Sequence, residues 1–394
     1  MSILRWNPSA ITIAGSTGQK GNASNLLNVP FGLTLDSSTT LYIADGFNNR
    51  VQKYLRDESF GVTVAGQVDG SSNSTSSYLN FPSDVAVDSD GNIYVTDTFN
   101  YRVQLWTSGS SSGTLAAGTG ISGSTNDTLS IVYGIARDSS SGTLYISDTG
   151  NHRIMRYLSG ASSGTVIAGG NGAGLSITQL SNPIGLCFDS STNSLLIANY
   201  GANNIVRWII GSQNWTLVAG NINGLSGSTS NKLNQPTDVT IDPMGNIYVV
   251  DMGNNRVQFF SYDQSNGTTI AGVTNSNGNT SILLNNPYSI TLDNQLNLYD
   301  EGNINVPGTE ILTPAMLRDV TLTEQKQLLG ERLFVLVQQI EPTLAAKITG
   351  MFIELDIKYI LTLIKSQNIL KEKIKEAIDI LKTYQYKQHY MTKS

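Results

Sequence analysis

The sequence contains few of the residues from which catalytic and metal sites are usually built. It has one cysteine, Cys187, and two histidines in 394 residues, so no intramolecular disulfide can form and ligands for a zinc ion are scarce. No stretch approaches the ~18 apolar residues of a membrane span, and the first residues lack an apolar run long enough for a signal peptide. We therefore expect a cytoplasmic protein that has no membrane contact and no cofactor.

Charge is also scarce, and it is divided unevenly along the chain. Charged residues make up 14% of the sequence, against an average of about 25%. Residues 1–310 contain 12 Lys+Arg and 21 Asp+Glu, a net charge of −9, whereas residues 311–394 contain 12 and 9, a net charge of +3. This division predicts two modules. Because phosphate binding needs clustered Lys and Arg, the acidic larger module is a poor candidate for binding DNA or RNA.

The larger module is built from a repeat with a period of 51 or 52 residues. An Ala-Gly pair closes one short run in each copy, with its glycine at Gly15, Gly66, Gly118, Gly169, Gly220 and Gly272. Each period contains four short runs of β-branched and aromatic residues, separated by Gly, Asn, Asp or Ser, which are strand and turn signals. In the first copy these runs are Phe31–Asp36, Leu41–Asp45, Arg50–Tyr54 and Gly61–Gly66. Four strands per period without helical periodicity predict the blades of a β-propeller.

One phrase of the repeat, Tyr145-Ile-Ser-Asp-Thr-Gly-Asn-His-Arg-Ile154, resembles the NHL repeat. The resemblance covers about residues 11–299, and we predict an all-β, six-bladed NHL-type propeller in residues 1–299. The sixth copy departs from the pattern after Tyr299, where no Asn-X-Arg motif follows. We therefore expect an incomplete sixth blade, whose outer strand is Ile11–Gly15 and whose third strand has only Asn303–Val306 as a candidate.

An Asp ends the second strand of most copies, and an Arg follows it five residues later. In the fourth copy Asn199 replaces the Asp and Asn204 replaces the Arg. Both charges are lost together, as expected if each Asp pairs with its Arg, because losing one alone would leave an unpaired charge. We interpret these residues as structural rather than catalytic. A second set of Asp residues, one after each first strand, is predicted to cap turns: Asp36, Asp88, Asp138, Asp189, Asp242 and Asp293.

A few residues of the larger module would carry chemistry if the propeller were an enzyme. His152 lies in the variable position before Arg153 and is expected on a surface loop. Asp84 and Asp238 follow the start of their strands by two positions and are candidates for a calcium site in the central channel. Cys187 lies in an apolar run, which favours a small buried side chain over a nucleophile. We expect no catalytic residue and no bound metal.

The composition changes at Leu312, where helix formers replace Ser- and Gly-rich loops. We predict a linker at 300–311, a bundle of five short helices at 312–388 and a tail at 389–394. Thr321-Leu-Thr-Glu324 fits a capping box at the start of the second helix. The apolar stripes of the second, third and last helices are Leu329, Leu333, Leu336, Val337 and Ile340; Leu344, Ile348, Met351, Phe352 and Leu355; and Leu370, Ile374, Ile378 and Leu381.

Two runs in this helical module, Glu324–Phe334 and Pro342–Glu354, closely resemble the MLLE domain. That domain forms the C-terminus of cytoplasmic poly(A)-binding proteins and also occurs in a HECT ubiquitin ligase. The resemblance covers about residues 312–388 and implies binding of short PABP-interacting motifs in factors of translation, deadenylation and silencing. It does not imply a grip on poly(A), because the RRM domains that hold poly(A) are absent here; RNA binding would follow only by family association.

In the MLLE family a phenylalanine of the partner wedges between the second and third helices. The resemblance implies that this pocket is formed by Gln327, Gly330, Phe334, Lys347, Thr349, Gly350 and Ile353. A second pocket, for a partner leucine, would involve Met351 and Phe352 against the last helix, and Glu331 and Glu354 would meet polar groups of the peptide. Residues 351–354 read Met-Phe-Ile-Glu where the family usually has Met-Leu-Leu-Glu, and Ala346 replaces a usual Gly.

The sequence thus predicts a non-enzymatic adaptor in which the propeller is an interaction scaffold and the MLLE module binds proteins that carry PABP-interacting motifs. Two alternatives stay open: a propeller that contacts RNA directly, and a propeller lyase or hydrolase that uses a bound metal. The interruption after Tyr299 also fits a fusion that truncated the last blade.

Overall fold

A computed structural model describes most of the chain. The described residues are 10–293, 297–300, 304–306, 333, 337, 340–341, 343–356, 359–360, 363 and 367–391. The chain divides into two compact units, one formed by Trp6–Pro307 and one that contains Gly308–Ser394. The division falls within the predicted linker, and each unit is described by itself.

The first unit contains five antiparallel four-stranded sheets, blades one to five, each formed by four strands in chain order. Blade one comprises β1 (Pro30–Leu35), β2 (Leu41–Asp45), β3 (Arg50–Tyr54) and β4 (Val62–Gly66). Blade two comprises β5 (Pro82–Val87), β6 (Ile93–Asp97), β7 (Arg102–Trp106) and β8 (Thr114–Gly118). Blade three comprises β9 (Val132–Arg137), β10 (Leu144–Asp148), β11 (Arg153–Tyr157) and β12 (Thr165–Gly169).

The last two complete blades repeat this arrangement. Blade four comprises β13 (Pro183–Asp189), β14 (Ser194–Asn199), β15 (Asn204–Ile209) and β16 (Trp215–Gly220). Blade five comprises β17 (Pro236–Ile241), β18 (Ile247–Asp251), β19 (Arg256–Phe260) and β20 (Thr268–Gly272). The predicted strands of the first copy differ from the observed ones by at most one residue at either end, so the repeat and its four strands are confirmed.

Apolar cores lie between successive blades. Val51 and Ala65 of blade one pack with Val85 and Trp106 of blade two, and equivalent clusters join the following blades. Strands in the middle of a blade are therefore covered on both faces, and every residue of β2 is buried. This explains why these strands are continuous apolar runs rather than strict alternations.

A sixth sheet follows the five blades and has three strands. These are β21 (Ile290–Leu292), β22 (Leu298–Asp300) and β23 (Ile304–Val306), paired antiparallel in that order. Its third strand lies where Asn303–Val306 was the only candidate, so the sheet extends into the predicted linker. Its inner strand contacts those of both blade five and blade one.

The predicted outer strand of the sixth sheet is not confirmed, because Ile11–Gly15 forms no strand. The residues on either side of β23, at 301–303 and 307–332, lie outside the described part of the chain. Ile13 and Ala14 nevertheless pack with Tyr299 against the apolar core of blade one. The closed six-bladed ring stays a prediction.

The second unit is helical in its described part. It contains α1 (Ala345–Phe352) and α2 (Gln367–Met391), which correspond to the third and last predicted helices; the five-helix count is not confirmed. Leu333, Val337, Ile360 and Leu363 are also helical and share one buried core with Ala345, Ile348, Phe352, Leu370, Ile374 and Ala377. Helix α2 continues past the predicted end of the bundle at residue 388. Leu329 and Leu336 lie outside the described residues.

Leu355 is a correction to the predicted stripe of the third helix. Helix α1 ends at Phe352, and Leu355 lies in the following turn, where its N–H donates to the Phe352 carbonyl and its side chain is exposed. A stripe that is continued by spacing alone fails once the helix has ended. None of the helices in the described part of the chain is both long and apolar enough to span a membrane.

Candidate peptide-binding site

Helix α1 carries most of the described residues that were predicted to bind a peptide. Ala345, Ile348 and Phe352 are buried in the core of the helical unit, and their spacing of three and four residues places them on one face of the helix. This inward stripe fixes the orientation of the helix and leaves the opposite face outside the core.

The outward face combines two predicted site residues that are exposed with one that is half-buried. Lys347 and Gly350 are exposed, and Met351 is half-buried against the core. Glu354, beyond the end of the helix, is exposed as well. These positions are spaced by three, one and three residues, so the structure brings them to one side of the helix.

Thr349 and Gly350 have unusual surroundings. The Thr349 side chain is 7% exposed, yet its hydroxyl has no hydrogen-bond partner among the described residues. Gly350 has the opposite property, because a Cβ added to it would meet no atom of the described part of the chain within 4 Å. A buried hydroxyl without a partner and a helical glycine beside open space therefore lie next to each other.

The remaining predicted site residues lie in three different situations. Phe352 is 5% exposed and belongs to the same core as Leu370 and Ile374 of α2, so its ring is part of the interior. Ile353 is half-buried at the C-cap of α1, where its N–H donates to the Thr349 carbonyl at 3.0 Å. Four predicted residues lie outside the described part of the chain: Gln327, Gly330, Glu331 and Phe334.

In the first unit the repeated Asp and Arg residues form buried ion pairs. Arg Nε donates to Asp Oδ2 at 2.7–2.8 Å in the pairs Asp45–Arg50, Asp97–Arg102, Asp148–Arg153 and Asp251–Arg256. In blade one the guanidinium also donates to the carbonyls of Asn22 and Ala23 and so ties down the loop before β1. All six Asp residues that follow a first strand accept backbone N–H groups two or four residues ahead. The structural interpretation of both sets is confirmed.

The two carboxylates suggested for a calcium site line the central cavity, which all six sheets border. Asp84 Oδ2 accepts the Ile135 N–H at 2.9 Å, and Asp238 Oδ2 accepts the Ile290 N–H at 3.0 Å, so each Asp joins its own sheet to the next one. Burial, and secondly the carboxylate of Asp238, raise the pKa of Asp84 well above its usual range. Burial raises the pKa of Asp238 to about 6.

The surroundings of His152 and Cys187 fit structural roles. His152 Nδ1 accepts the Asn182 N–H at 3.1 Å, a bond that Asn255 makes to Asn286 later in the chain. Burial raises the pKa of the Cys187 thiol to about 11, and a protonated thiol is a poor nucleophile. Among the residues that the structure describes, no three His, Cys, Asp or Glu side chains are grouped so that they could hold a metal ion.

Comparison with known proteins identifies the helical unit. The family model described as the MLLE domain matches residues 316–381. The chain carries an MLLE domain. Within the curated proteins, polyadenylate-binding protein 2 of Arabidopsis thaliana is 42% identical over 85 residues, which are 22% of this chain and 13% of that protein. The chain therefore matches only about an eighth of that relative's length, and α1 lies inside the MLLE domain.

The first unit is a propeller with NHL repeats. The NHL repeat model matches residues 79–105 and 233–260, which contain the first three strands of blades two and five. A structural genomics protein of unknown function from Bacteroides thetaiotaomicron VPI-5482 is similar, with a TM-score of 0.59, 17% identity, and coverage of 75% of this chain and 74% of that one. An auxiliary nutrient binding protein from Bacteroides ovatus ATCC 8483 gives a TM-score of 0.55, 14% identity, and coverage of 76% and 75%. These likenesses concern the fold alone.

Proposed function

We propose that this chain is a non-enzymatic, cytoplasmic adaptor whose MLLE domain binds short linear peptides of the PABP-interacting type. The observation that carries the proposal is Gly350, an exposed glycine inside α1 with open space where a side chain would lie. Glycine in a helix costs about 1 kcal/mol relative to alanine. Because no described residue would contact an alanine side chain there, the described part of the fold supplies no reason for glycine, whereas the close approach of a partner side chain to the helix backbone does.

Thr349 supports the same site. A buried hydroxyl without a hydrogen bond costs about 1–3 kcal/mol, and the Thr349 hydroxyl is in that state. An arriving peptide brings carbonyl and N–H groups that satisfy it. In this proposal Gly350 admits the aromatic ring of the partner, and Thr349 bonds the peptide backbone beside it.

The opposite charges at the two ends of α1, and the pocket beside them, favour one orientation of the bound peptide. Lys347 and Glu354 place opposite charges on the exposed side, seven residues apart. Phe352, which is buried in the core, forms the floor under the proposed leucine pocket, and half-buried Met351 forms its wall. Gln327, Gly330, Glu331, Phe334 and Ile353 complete the proposed site.

For the first unit we infer a ring of six sheets that serves as a scaffold. Ile13, Ala14 and Tyr299 pack on the core of blade one as Val64, Ala65 and Tyr42 pack on the core of blade two. The contacts of β21 with the inner strands on both sides support the same closure. In an adaptor, such a ring would hold bound partners in position, a role that requires no catalytic centre.

The decisive experiment titrates the full-length chain with a synthetic peptide that carries a PABP-interacting motif, measured by calorimetry. We expect saturable one-to-one binding to the wild type and no binding to Gly350→Asp, because the new side chain fills the space that the partner ring enters. The matched control is Lys375→Asp, which puts the same side chain at an exposed position of α2; it should bind like the wild type.

Circular dichroism of the Gly350→Asp variant should show the wild-type helix content, because the Cβ of the new side chain meets no described atom within 4 Å. Absence of binding to the wild type at high micromolar peptide would contradict the proposal. Equal binding by wild type and Gly350→Asp would place the peptide elsewhere on the chain.

A further inference from the structure

Blades one and two carry an aromatic surface that the other blades lack. The turn between the second and third strands of a blade has Phe47 in blade one and Phe99 in blade two, where blades three to five have Gly150, Gly201 and Gly253. The backbone N–H at all five positions makes the same bond to the loop before the first strand. The fold therefore accepts glycine at this position, yet Phe47 and Phe99 are 56% and 46% exposed.

The position just before each inner strand divides the six sheets in the same way. All six residues there have a left-handed backbone with φ of 49–57°. The last three sheets place Asn182, Gln235 and Asn286 there, and the first three place Val29, Phe81 and Ile131. A left-handed backbone costs most residues roughly 1–2 kcal/mol, and after glycine it suits Asn best. Val29 and Ile131 are exposed despite that cost, so the core does not explain them.

The aromatic rings form a continuous series that leads from the exposed turns to the mouth of the central channel. Phe81 lies between Phe47 and Phe99, with ring centroids 5.5 and 5.0 Å away. Phe31 contacts Phe81 at 4.7 Å and Tyr288 at 4.4 Å. We call Phe31, Phe47, Phe81 and Phe99 the aromatic surface. Phe47 and Phe99 are exposed, Phe31 is half-buried and Phe81 is buried, so the two exposed rings are supported from below by packed rings. Exposed aromatic side chains that are held in place in this way are typical of an interaction site.

The channel mouth gives this surface a negatively charged end. Tyr288 and Tyr133, with ring centroids 6.2 Å apart, line the same cavity as Asp84 and Asp238. The described ion pairs include neither carboxylate; both are held by backbone N–H groups, and Asp238 also accepts the Ser289 hydroxyl. Burial raises the pKa of both carboxyl groups, that of Asp238 to about 6, so near neutral pH the negative charge at the mouth is mainly that of Asp238. Aromatic rings that line one cavity with this carboxylate favour a cation, which ring faces attract within about 6 Å.

We infer that the aromatic surface binds a linear peptide in which an apolar side chain lies on the exposed rings of Phe47 and Phe99 and a neighbouring Lys or Arg reaches the channel mouth. The negative charge at the channel mouth selects the basic residue of the peptide. The distances between the rings limit the separation of the basic and apolar residues in the peptide to a few positions. This site is separate from the MLLE domain and does not depend on the function proposed for it.

Peptide display on the full-length chain tests the inference. Random short peptides are selected on the wild type and depleted on the Phe47→Asp/Phe99→Asp variant, which retains the MLLE domain and so removes peptides that bind there. We expect the remaining peptides to carry Lys or Arg within a few residues of Leu, Ile, Phe or Met. Replacing that basic residue by norleucine in a synthetic peptide should weaken binding about tenfold or more.

The matched control is Leu55→Asp/Leu158→Asp. Both leucines are 57% exposed, and each follows the third strand of its blade, at the end away from the aromatic surface. This variant should bind the selected peptide like the wild type, and both variants should melt like the wild type. Selected peptides without a basic residue, equal binding by the Phe47→Asp/Phe99→Asp variant, or wild-type self-association that this variant abolishes would each overturn the inference.

Discussion

Asn199 donates a hydrogen bond to Asn204 in blade four, with 3.1 Å between Nδ2 and Oδ1. The equivalent residues of blade five, Asp251 and Arg256, form a buried ion pair at 2.8 Å. A neutral pair of amide side chains in blade four thus occupies the position that an Asp–Arg ion pair occupies in the four other complete blades. Since removing one partner of a buried pair leaves an uncompensated charge, the two positions can change together at far lower cost than singly.

The first prediction concerns this pairing in blade three. Arg153→Asn should lower the free energy of unfolding by about 3–5 kcal/mol, because it leaves the Asp148 carboxylate buried without its partner. The double variant Asp148→Asn/Arg153→Asn, which copies blade four, should recover a large part of the loss. Urea denaturation of the full-length chain measures both.

The control for this prediction is Arg56→Asn. Arg56 lies 3.9 Å from Asp57 on the surface, where ion pairs contribute little, so its unfolding curve should match the wild type. A double variant as unstable as Arg153→Asn alone would show that the guanidinium bonds to the loop carbonyls, rather than the charge pairing, set the stability.

The second prediction concerns the pH dependence of stability. Burial raises the pKa of Asp238 to about 6, whereas an unfolded Asp titrates near about 3.9. The folded protein therefore holds this proton more tightly than the unfolded chain does. The contribution of Asp238 to stability is complete below about pH 4 and is lost as the pH rises through about 6.

Asp238→Asn removes this titration and retains oxygen and nitrogen atoms of similar shape. Between about pH 4 and pH 7, the free energy of unfolding should fall less steeply in the variant than in the wild type, as measured by urea denaturation in steps of pH. Because the Asp238 carboxylate also raises the pKa of Asp84, the variant lowers that pKa as well, which flattens the curve further in the same direction. Parallel curves would show that Asp238 does not carry a raised pKa.

The third prediction separates stability from binding at Gly350. Gly350→Ala should raise the free energy of unfolding by up to about 1 kcal/mol, because alanine is the better helix former and its methyl group meets no atom of the described residues within 4 Å. The same methyl group should weaken binding of a PABP-interacting peptide. Thermal melting and calorimetry on one preparation measure the two effects. A variant that is stabilised and binds unchanged would remove Gly350 from the peptide site.

Much of the propeller could be predicted from the sequence because the same strand and turn pattern recurs in each copy of the repeat. Six Ala-Gly pairs at fixed spacing locate the strands, and the joint loss of charge at Asn199 and Asn204 reveals a pairing that one copy alone would hide. Where the repeat stops, prediction stops as well. Strand β23 (Ile304–Val306) carries no motif, and the predicted outer strand at Ile11–Gly15 is not among the strands of the described residues.

The candidate sites are marked by residues that differ from their neighbours or from the equivalent residues of other copies. Residue spacing alone does not show what such a difference means. Phe352 and Gly350 are neighbours on α1, yet one ring is in the core and one glycine faces open space; only the direction of the helix face separates them. Phe47 and Phe99 were not predicted, although they stand where three other copies have glycine. The replacement of glycine by phenylalanine in two of the five copies was the signal in the sequence that could have revealed this surface.

The last prediction tests whether the apolar residues before the inner strands are retained for binding rather than for stability. Ile131 has φ of 49° and is exposed, so its branched side chain adopts a left-handed backbone without the compensation of burial. Ile131→Asn should raise the free energy of unfolding by about 1 kcal/mol, since Asn tolerates this backbone best after glycine. The reverse change, Asn182→Ile at the equivalent position of blade four, should lower it by a similar amount. Urea denaturation of the two variants compares them directly with the wild type. If Ile131→Asn is less stable than the wild type, Ile131 stabilises the fold, and its strained backbone is no evidence for a binding surface.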